Sequence, residues 1–296
     1  MTPTARRWLG GLAALISAMA FASNVPFVGV VYAHGGNIHA VNLVRPLFFL
    51  GCVTIWLLLA RRPIDLPARQ GNFAFLLGVL FCFEFYGVHS AIKYIPVGLA
   101  ILIVYTYPIS VAIVASVLNR ERLNWRVVLA MLVAFAGLII ALGGPTDATD
   151  WRGVAWSAGA SVGMCAIVTI SERTTAGHDN AAVMFHMTLL ASLIMIAVVL
   201  VGIPIEWPST STGVQALLAS TVLYAVATCL LFIAVDMVGP VRFAVIDNTT
   251  PIWASLMGFV LLAETLTWMQ GVGALLVISG VVAVQVWHQP RAASAT

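Results

Sequence analysis

The sequence predicts an all-α polytopic membrane protein with ten transmembrane helices, arranged as two inverted five-helix repeats. Three observations support this fold class. Hydrophobic residues make up 61% of the chain and charged residues only 8%, and the mean hydropathy is +1.02, which soluble domains of this size do not reach. Apolar runs long enough to span a bilayer recur along the chain, and one segment of it is repeated without a gap.

Ten apolar runs define the helices. They are centred near residues 20, 50, 82, 106, 134, 160, 191, 224, 251 and 276, and each approaches the roughly 20 residues that a hydrocarbon core of about 30 Å requires. The connections between them are short, so no separate soluble domain fits. Five runs fall in each half, which predicts a first repeat in residues 1–143, a second, inverted repeat in residues 150–288 and a short cytoplasmic tail in residues 289–296.

Basic residues indicate the orientation, because Lys and Arg collect in short cytoplasmic loops. With a cytoplasmic N-terminus and ten crossings, only Lys93 and Arg152 fall outside. The arginines that fall inside are Arg6, Arg7, Arg61, Arg62, Arg69, Arg120, Arg122, Arg126, Arg173 and Arg291. Both termini are therefore expected in the cytoplasm. The first apolar run continues to about Tyr32, past the usual length of a signal-peptide apolar region, and is interpreted as a retained helix.

The segments around residues 94–142 and 237–285 repeat one another at a fixed offset of 143 positions. Identical pairs include Ala91/Ala234, Ile103/Ile246, Pro108/Pro251, Ile109/Ile252, Val117/Val260, Glu121/Glu264, Leu123/Leu266, Trp125/Trp268 and Gly137/Gly280. In each copy a proline interrupts an apolar helix, a glutamate ends it, and E-x-L-x-W leads into the next helix. An odd number of crossings between the copies inverts one relative to the other, which is the arrangement that transporters use for alternating access.

This spacing from Pro108 to Trp125, repeated from Pro251 to Trp268, and the Arg45-Pro46 pair of helix 2 resemble the EamA-type members of the drug/metabolite transporter superfamily. The likeness extends over almost the whole chain. It implies a bacterial inner-membrane exporter of small metabolites with a central cavity between the two halves, and among the subgroups it favours the YddG-like exporters of aromatic amino acids. The expected activity is secondary transport of aromatic or neutral amino acids, with drugs or other small metabolites as the alternative cargo.

Other functional classes find little support. The sequence has no Walker loop, dinucleotide fingerprint, H-E-x-x-H or EF-hand pattern, so we expect no cofactor and no metal site. An intramembrane enzyme, the competing class together with a non-transporting scaffold, requires converging catalytic groups, whereas the acids are scattered singly and the neighbours His89 and Ser90 point about 100° apart on a helix. We therefore expect no catalytic residues. The expected partners are a small-molecule substrate and the lipid bilayer, not nucleic acid, and the chain is a monomer or a homodimer.

Ionisable side chains within the apolar runs are candidate substrate-binding residues, because placing one in a bilayer costs on the order of 2.5–3.5 kcal/mol. Helix 2 contains Arg45, and helix 3 contains Glu84 and His89. Glu84 is expected to carry a proton, to bind a substrate ammonium group or to form a buried pair with a neighbouring helix. His89 either couples substrate release to protons, since histidine titrates near neutral pH, or is hydrogen-bonded between helices. Tyr86 shares its helix face and is a candidate for stacking on a substrate.

The repeated crossings contain the next candidates. Pro108 and Pro251 each remove a backbone hydrogen bond near the midplane, and we expect both to act as cavity-forming kinks. The repeat pairs Tyr105 with Asn248, which follows Asp247. An aromatic ring on one side and an amide with a carboxylate on the other suit a zwitterion with an apolar side chain, unless the tyrosine merely fills the core.

Helix 1 contains a third polar break, at Asn24 and Pro26. Asn24 hydrogen-bonds either the substrate or a neighbouring helix. Trp253 either offers a stacking face to a substrate ring or faces lipid or the interface, as four other tryptophans are expected to do. These four are Trp8, Trp125, Trp151 and Trp268.

Two further groups of residues are assigned to packing. Glu121 and Glu264 each end a helix, where they suit capping or a salt bridge to the following helix. Glycine pairs allow helices to approach closely. They occur at Gly10-Gly11, Gly159-x-x-x-Gly163 and Gly271-x-Gly273. The segment from Gly271 to Gly280 alternatively mediates a dimer contact.

Overall fold

The computed structural model describes residues 3–119, 124–141, 150–174, 180–238, 243, 246–265 and 267–287, and within them all regular secondary structure is helical. The helices are α1 (Pro3–Ala33), α2 (Ile38–Leu59), α3 (Ala68–Ala91), α4 (Val97–Val104), α5 (Tyr107–Asn119), α6 (Trp125–Ala141), α7 (Trp151–Thr174), α8 (Asn180–Leu200), α9 (Ser211–Val238), α10 (Thr250–Leu262) and α11 (Trp268–Trp287). Since α4 and α5 are halves of one crossing, each of the ten predicted centres lies in a helix or at this junction.

Six helical stretches are long and apolar enough to cross a membrane. They are Trp8–Ala33, Ile38–Leu59, Gln70–Ala91, Val97–Val114, Ala182–Leu200 and Ser211–Leu231, and shorter apolar helices cover Trp125–Ala141, Thr250–Leu262 and Trp268–Val284. The tryptophans predicted to face lipid are all exposed on the outer surface. The predicted fold class is confirmed: a multi-pass membrane protein of two inverted five-helix repeats.

The internal repeat is visible in the boundaries of the helices. Helices α5 and α10 begin at Tyr107 and Thr250 and α6 and α11 begin at Trp125 and Trp268, 143 residues apart in each case. Residues 105–106 and 248–249 form turns that interrupt the two corresponding crossings. At each turn a threonine hydroxyl donates to the carbonyl three residues earlier, at 2.7 Å in the first copy and 2.8 Å in the second.

The prolines lie just after these interruptions. Pro108 and Pro251 are the second residues of α5 and α10, where a backbone N–H has no partner within the helix and its absence costs little. We predicted kinks at these prolines, and the structure instead shows a complete break in each crossing immediately before them. The first crossing thus divides into the half-helices α4 and α5, and the second continues as α10 after its turn.

Helix α1 continues through Pro26 to Ala33, so the polar and proline break does not divide this helix, and the kink expected at Pro26 stays a prediction. Proline removes the N–H that would bond the carbonyl four residues earlier and disturbs the preceding turn. The carbonyl that loses its helical donor here is that of Ala22. The nearby Nδ2 of Asn24 donates instead to the carbonyl of Phe21, at 2.6 Å, so this bond does not replace the lost one.

Helices from the two repeats pack in related pairs. Helix α1 packs along α9 and α3 along α7, while α2 packs against α8 and α6 against α11. Glycines bring α6 and α11 together: a Cβ on Gly273 would lie 2.5 Å from the carbonyl oxygen of Gly137, and one on Gly280 would lie 2.7 Å from that of Ala130. Gly273 and Gly280 therefore face α6 of the same chain, so they are not free for the alternative dimer contact.

Candidate functional site

Arg45 of α2 is buried at the centre of a polar cluster, with 3% of its surface exposed. Its Nη1 lies 2.6 Å from Nε2 of His89 in α3, and its Nη2 donates to Oδ1 of Asn24 in α1 at 2.6 Å. The guanidinium thus joins three helices. Of the two roles predicted for Asn24, the structure shows the bond to a neighbouring helix. Within the described residues Arg45 has no salt bridge.

These bonds determine the protonation of His89. A guanidinium has only donors, so the Nε2 atom that faces Arg45 must accept. The other ring nitrogen, Nδ1, lies 2.8 Å from Oδ1 of Asn42 and must carry the proton of that bond. His89 is therefore neutral and hydrogen-bonded between helices, which is the second of the two roles predicted for it. It has no free nitrogen with which to take up a proton without breaking the bond to Arg45.

Arg45 faces a partly open cavity lined by residues of α2, α3, α8 and α9, whose space between atoms, with its open mouth included, is about 380 Å³. Four polar atoms of the lining have no hydrogen-bond partner in the described part of the chain: Asn42 Nδ2, Arg45 Nε, Thr188 Oγ1 and Tyr224 Oη. An unpaired buried polar group costs about 1–3 kcal/mol. All four groups can donate a hydrogen bond. The Arg45 cavity, as we call it, is therefore suited to a ligand that accepts hydrogen bonds.

Aromatic rings form another wall of the Arg45 cavity. Phe85 lies 4.5 Å from Phe81 and 5.1 Å from Tyr224, centroid to centroid, both in edge-to-face geometry. The guanidinium of Arg45 stands 5.7 Å from the centroid of the Tyr224 ring, a favourable cation–π distance. The cavity combines a cationic end with an apolar aromatic end.

The lining of the cavity also includes pairs of residues that the repeat relates to each other. Arg45 and Thr188 are 143 positions apart, as are Phe81 and Tyr224, and α3 and α9 begin 143 positions apart. Equivalent positions of the two copies thus face each other across the same space. A ligand bound there contacts both halves of the protein.

The two remaining candidates of α3 lie beside the cavity and do not line it. Glu84 is buried against α7, where a Cβ on Gly163 would lie 3.5 Å from its own Cβ, and it is close enough to interact electrostatically with Arg45. Tyr86 packs its ring 5.7 Å from that of Trp156 and 6.0 Å from that of His39. The structure therefore places Tyr86 in a contact between helices, away from the Arg45 cavity.

A second polar cluster lies where the two broken crossings meet. Tyr105 donates its hydroxyl to Oδ2 of Asp247 at 3.0 Å, and Thr250 donates to Oδ1 at 3.2 Å. Asn248 is buried beside them, with 4% of its surface exposed. Trp253 is half-buried, and its Nε1 has no hydrogen-bond partner among the described residues. Tyr105, Asp247 and Thr250 are called the Asp247 cluster below.

An apolar cluster lies between the two polar ones. It includes Val25, next to Asn24, and Val88, next to His89, and both Tyr105 and Trp253 pack against it. The predicted candidates thus fall into two groups separated by an apolar layer, whereas the sequence suggested one shared pocket.

Glu264 caps a helix of the opposite repeat. Both of its carboxylate oxygens accept from the backbone N–H of Val97, at 3.0 and 3.1 Å, at the first residue of α4. Burial raises the pKa of Glu264, and the bond from Val97 opposes this rise. We predicted a cap or a bond to the following helix, and the structure shows a cap on a more distant one. Its counterpart Glu121 lies outside the described residues.

We expect Glu264→Ala to lower the free energy of unfolding by about 1 kcal/mol, as loss of an N-terminal cap does, and to accelerate hydrogen exchange at the Val97 amide. Glu264→Gln retains one carbonyl oxygen as an acceptor and should have a smaller effect. Exchange at Val97 that is equally slow in Glu264→Ala and in the native protein would contradict the capping role.

Sequence reasoning missed several residues of the site. Asn42 lies three positions before Arg45 and hence on the same helix face, and this spacing was a usable signal. Thr106 and Thr249, whose hydroxyls cap the broken crossings, are an identical pair of the repeat. Thr188 has no distinguishing neighbours in the sequence, but it stands 143 positions after Arg45, so the offset of the repeat could have pointed to it.

Comparisons with known proteins agree with this architecture. The model of the EamA-like transporter family matches residues 8–143 and again residues 151–285. A solved crystal structure, described only as that of a protein, superposes with a TM-score of 0.64 over 98% of this chain and 100% of that chain, at 17% sequence identity, and so shows likeness of fold alone. No curated protein matches the sequence. None of these comparisons singles out the exporters of aromatic amino acids.

Proposed function

Because the chain belongs to the EamA-like transporter family, whose members carry small molecules across membranes, we propose that it is a secondary transporter that exports amino acids, aromatic or neutral, by alternating access. The proposed location is a bacterial inner membrane, with both termini in the cytoplasm. The family match supports a small-molecule transporter in general. The cargo, the direction and the mechanism are our proposal, and the Arg45 cavity is the observation that supports them.

The cationic end of the cavity favours a carboxylate. Burying a charge without a partner costs several kcal/mol, and Arg45 has no salt bridge within the described residues. A carboxylate accepts bonds from Nε of Arg45 and from Asn42, Thr188 and Tyr224, all of which otherwise lack partners. Charge-assisted bonds of this kind are about twice as strong as neutral ones. A substrate carboxylate therefore satisfies the whole polar lining at once.

The rest of an amino acid fits the other features of this region. An apolar or aromatic side chain packs against Phe81, Phe85 and Tyr224, where aromatic pairs contribute about 0.5–1.5 kcal/mol beyond burial. We propose that the ammonium group lies on the side of Glu84, which is buried near Arg45 without lining the cavity. A cationic drug without a carboxylate would meet the charge of Arg45, so the cavity favours amino acids over this alternative cargo.

The position of the cavity supports alternating access. It is lined by repeat-related residues of both halves, so relative rocking of the halves can expose it to either side. In the proposed topology, contacts between the halves close the external face: Asn37 donates to the carbonyl of Pro204 at 3.0 Å and Ser209 to that of His34 at 2.9 Å. The Glu264 bond to α4 lies on the same face. An outward-open state would require these contacts to separate.

Counterflow in proteoliposomes tests the proposal. Vesicles loaded with unlabelled phenylalanine are expected to take up labelled phenylalanine, and external phenylalanine or threonine should compete. Phenylalaninamide keeps the ring and the ammonium group but lacks the carboxylate, and should compete at least about tenfold more weakly, the effect of losing roughly 1.4 kcal/mol. Equal competition by the amide would refute recognition through Arg45. Absence of any amino acid exchange would refute the proposed cargo.

A further inference from the structure

The Asp247 cluster contains a buried carboxylate that the Arg45 cavity does not use. Asp247 is 9% exposed, and in the described residues no cation forms a salt bridge with it. Its two oxygens accept bonds from the hydroxyls of Tyr105 and Thr250. An ionised carboxylate without a counter-charge is costly in a membrane interior, whereas the neutral acid is much less so. The protonated form of Asp247 is therefore the more stable form whenever water is excluded from the site.

We propose that Asp247 is the proton-binding site that couples substrate export to proton entry. This inference rests on the proposed transport function. The carboxylate takes up one proton from the external side and releases it to the cytoplasm, while one substrate moves the other way. No other bond is formed or broken.

The hydroxyl partners suit both protonation states. With Asp247 ionised, Tyr105 and Thr250 both donate to it, as their distances of 3.0 and 3.2 Å allow. With Asp247 protonated, its own O–H donates to one of these hydroxyl oxygens, which can accept. The cluster therefore keeps its hydrogen bonds through a proton cycle.

The same geometry disfavours a sodium ion. Hydroxyl groups that donate to the carboxylate direct their hydrogens toward the place where a cation would bind. Two of the backbone carbonyls at the helix breaks already accept side-chain bonds, since Thr106 donates to Ile103 and Thr249 to Ile246. In the described parts of the chain, moreover, no group of three or more His, Cys, Asp or Glu side chains could hold a metal ion.

The charge of Asp247 has few neighbours that influence it. Among the described residues, the titratable groups that face it are Tyr105 and Tyr107, from the first repeat. Helices α1 and α4 pack against α10, and residues 8–31 and 97–104 contain no ionisable side chain. Helix α7, on the other side of the α4–α5 junction, presents Ser161 to Thr106. The binding and release of a proton at Asp247 therefore depend on the access of water and on the bond from Tyr105.

This bond also connects the proton to the transport cycle. Tyr105 belongs to the first repeat, and Asp247 and Thr250 belong to the second. Rocking of the two repeats changes the distance from Tyr105 to Asp247 and the access of water to it. Each conformational state thus has its own proton affinity, which is what coupling requires.

A pH gradient across proteoliposomes tests the assignment with labelled phenylalanine as the probe. With the lumen one pH unit more acidic, one-for-one antiport by the native protein should accumulate the substrate up to about tenfold. For Asp247→Asn the ratio of uptake with and without the gradient should fall to one, whatever its residual rate. Asp150→Asn is the control, because Asp150 is an acid outside the helices, paired with Arg152, and its ratio should match the native value.

Tyr105→Phe retains the carboxylate but removes a donor to its ionised form. The protonated form is then favoured, so the pH of half-maximal driven uptake should move upward. A gradient response retained in Asp247→Asn would overturn the proposal, and so would uptake driven by a sodium gradient in place of the pH gradient.

Infrared difference spectroscopy of the purified protein, between about pH 5 and about pH 8, gives a readout without substrate. Two buried acids of the described residues, Asp247 and Glu84, can give protonated carboxyl bands. The band assigned to Asp247 should appear in the native protein and in Glu84→Gln and be missing from Asp247→Asn. Persistence of this band in the variant would overturn the assignment even if no substrate were exchanged. Absence of phenylalanine exchange with this band intact in the native protein would instead refute the proposed cargo and leave the proton site standing.

Discussion

Arg45→Met is expected to reduce amino acid exchange by at least about 100-fold. The variant removes the cation and the donors that would hold a substrate carboxylate, and each charge-assisted bond contributes roughly 1.5–3 kcal/mol. A loss of about 2.7 kcal/mol already corresponds to 100-fold. The measurement is phenylalanine counterflow at several concentrations, which separates weaker binding from slower turnover.

Arg45 also has a structural role, which the same experiment must separate from binding. Its removal leaves Oδ1 of Asn24 and Nε2 of His89 without their donor. Arg45→Lys keeps the charge but lacks the planar fork that reaches both partners and the substrate, so we expect a loss of at least about tenfold in exchange with less damage to the fold. Arg62→Met, outside the cavity in the connection after α2, is the matched control and should exchange normally.

Discrimination between phenylalanine and phenylalaninamide gives a readout that misfolding alone would not change. Any residual exchange by Arg45→Met should no longer favour the acid over the amide. A variant with slow exchange but native discrimination would show that Arg45 supports the fold without contacting substrate. Normal exchange by Arg45→Met would remove the carboxylate site altogether.

The fold could be predicted almost completely from the sequence, for physical reasons. Membrane thickness fixes the length of a crossing, so apolar runs alone located the helices. The offset of 143 residues further predicted that α5 and α10 correspond, and both begin one residue before the repeated proline. The structure differs locally at Pro26, where α1 remains one helix and is not divided as the crossings at Pro108 and Pro251 are.

The site was predictable only in part. Arg45, Asn24 and His89 could be named because polar groups at mid-membrane depth need partners. Which partners they have depends on how helices face one another, and a single sequence does not contain that information. Tyr86 illustrates the difference, since it shares a helix with His89 yet packs against Trp156. Tyr224 was overlooked, although it stands 143 positions after Phe81 and the repeat could have pointed to it.

Gly273→Ala is expected to lower the free energy of unfolding by about 3 kcal/mol, the upper part of the usual range for overpacking. The added Cβ would lie 2.5 Å from the carbonyl oxygen of Gly137 and close to the backbone nitrogen of Ala141. Backbone atoms in the middle of a helix cannot rotate aside as a flexible side chain can, so α6 and α11 must separate. Separation would also disturb the packing between the last helices of the two repeats.

Gly271 supplies a control within the same helix, because a Cβ there meets nothing within 4 Å. Gly271→Ala should be neutral or stabilising by up to about 1 kcal/mol, since alanine is favoured over glycine inside a helix. Thermal unfolding in detergent, followed by tryptophan fluorescence, should therefore rank Gly271→Ala at or above the native protein and Gly273→Ala well below it. Equal midpoints of thermal unfolding for the two variants would mean that the backbones of α6 and α11 are not in contact at Gly273. Because both variants add the same methyl group to α11 two residues apart, a difference between them reports on the helix contact and not on helix propensity.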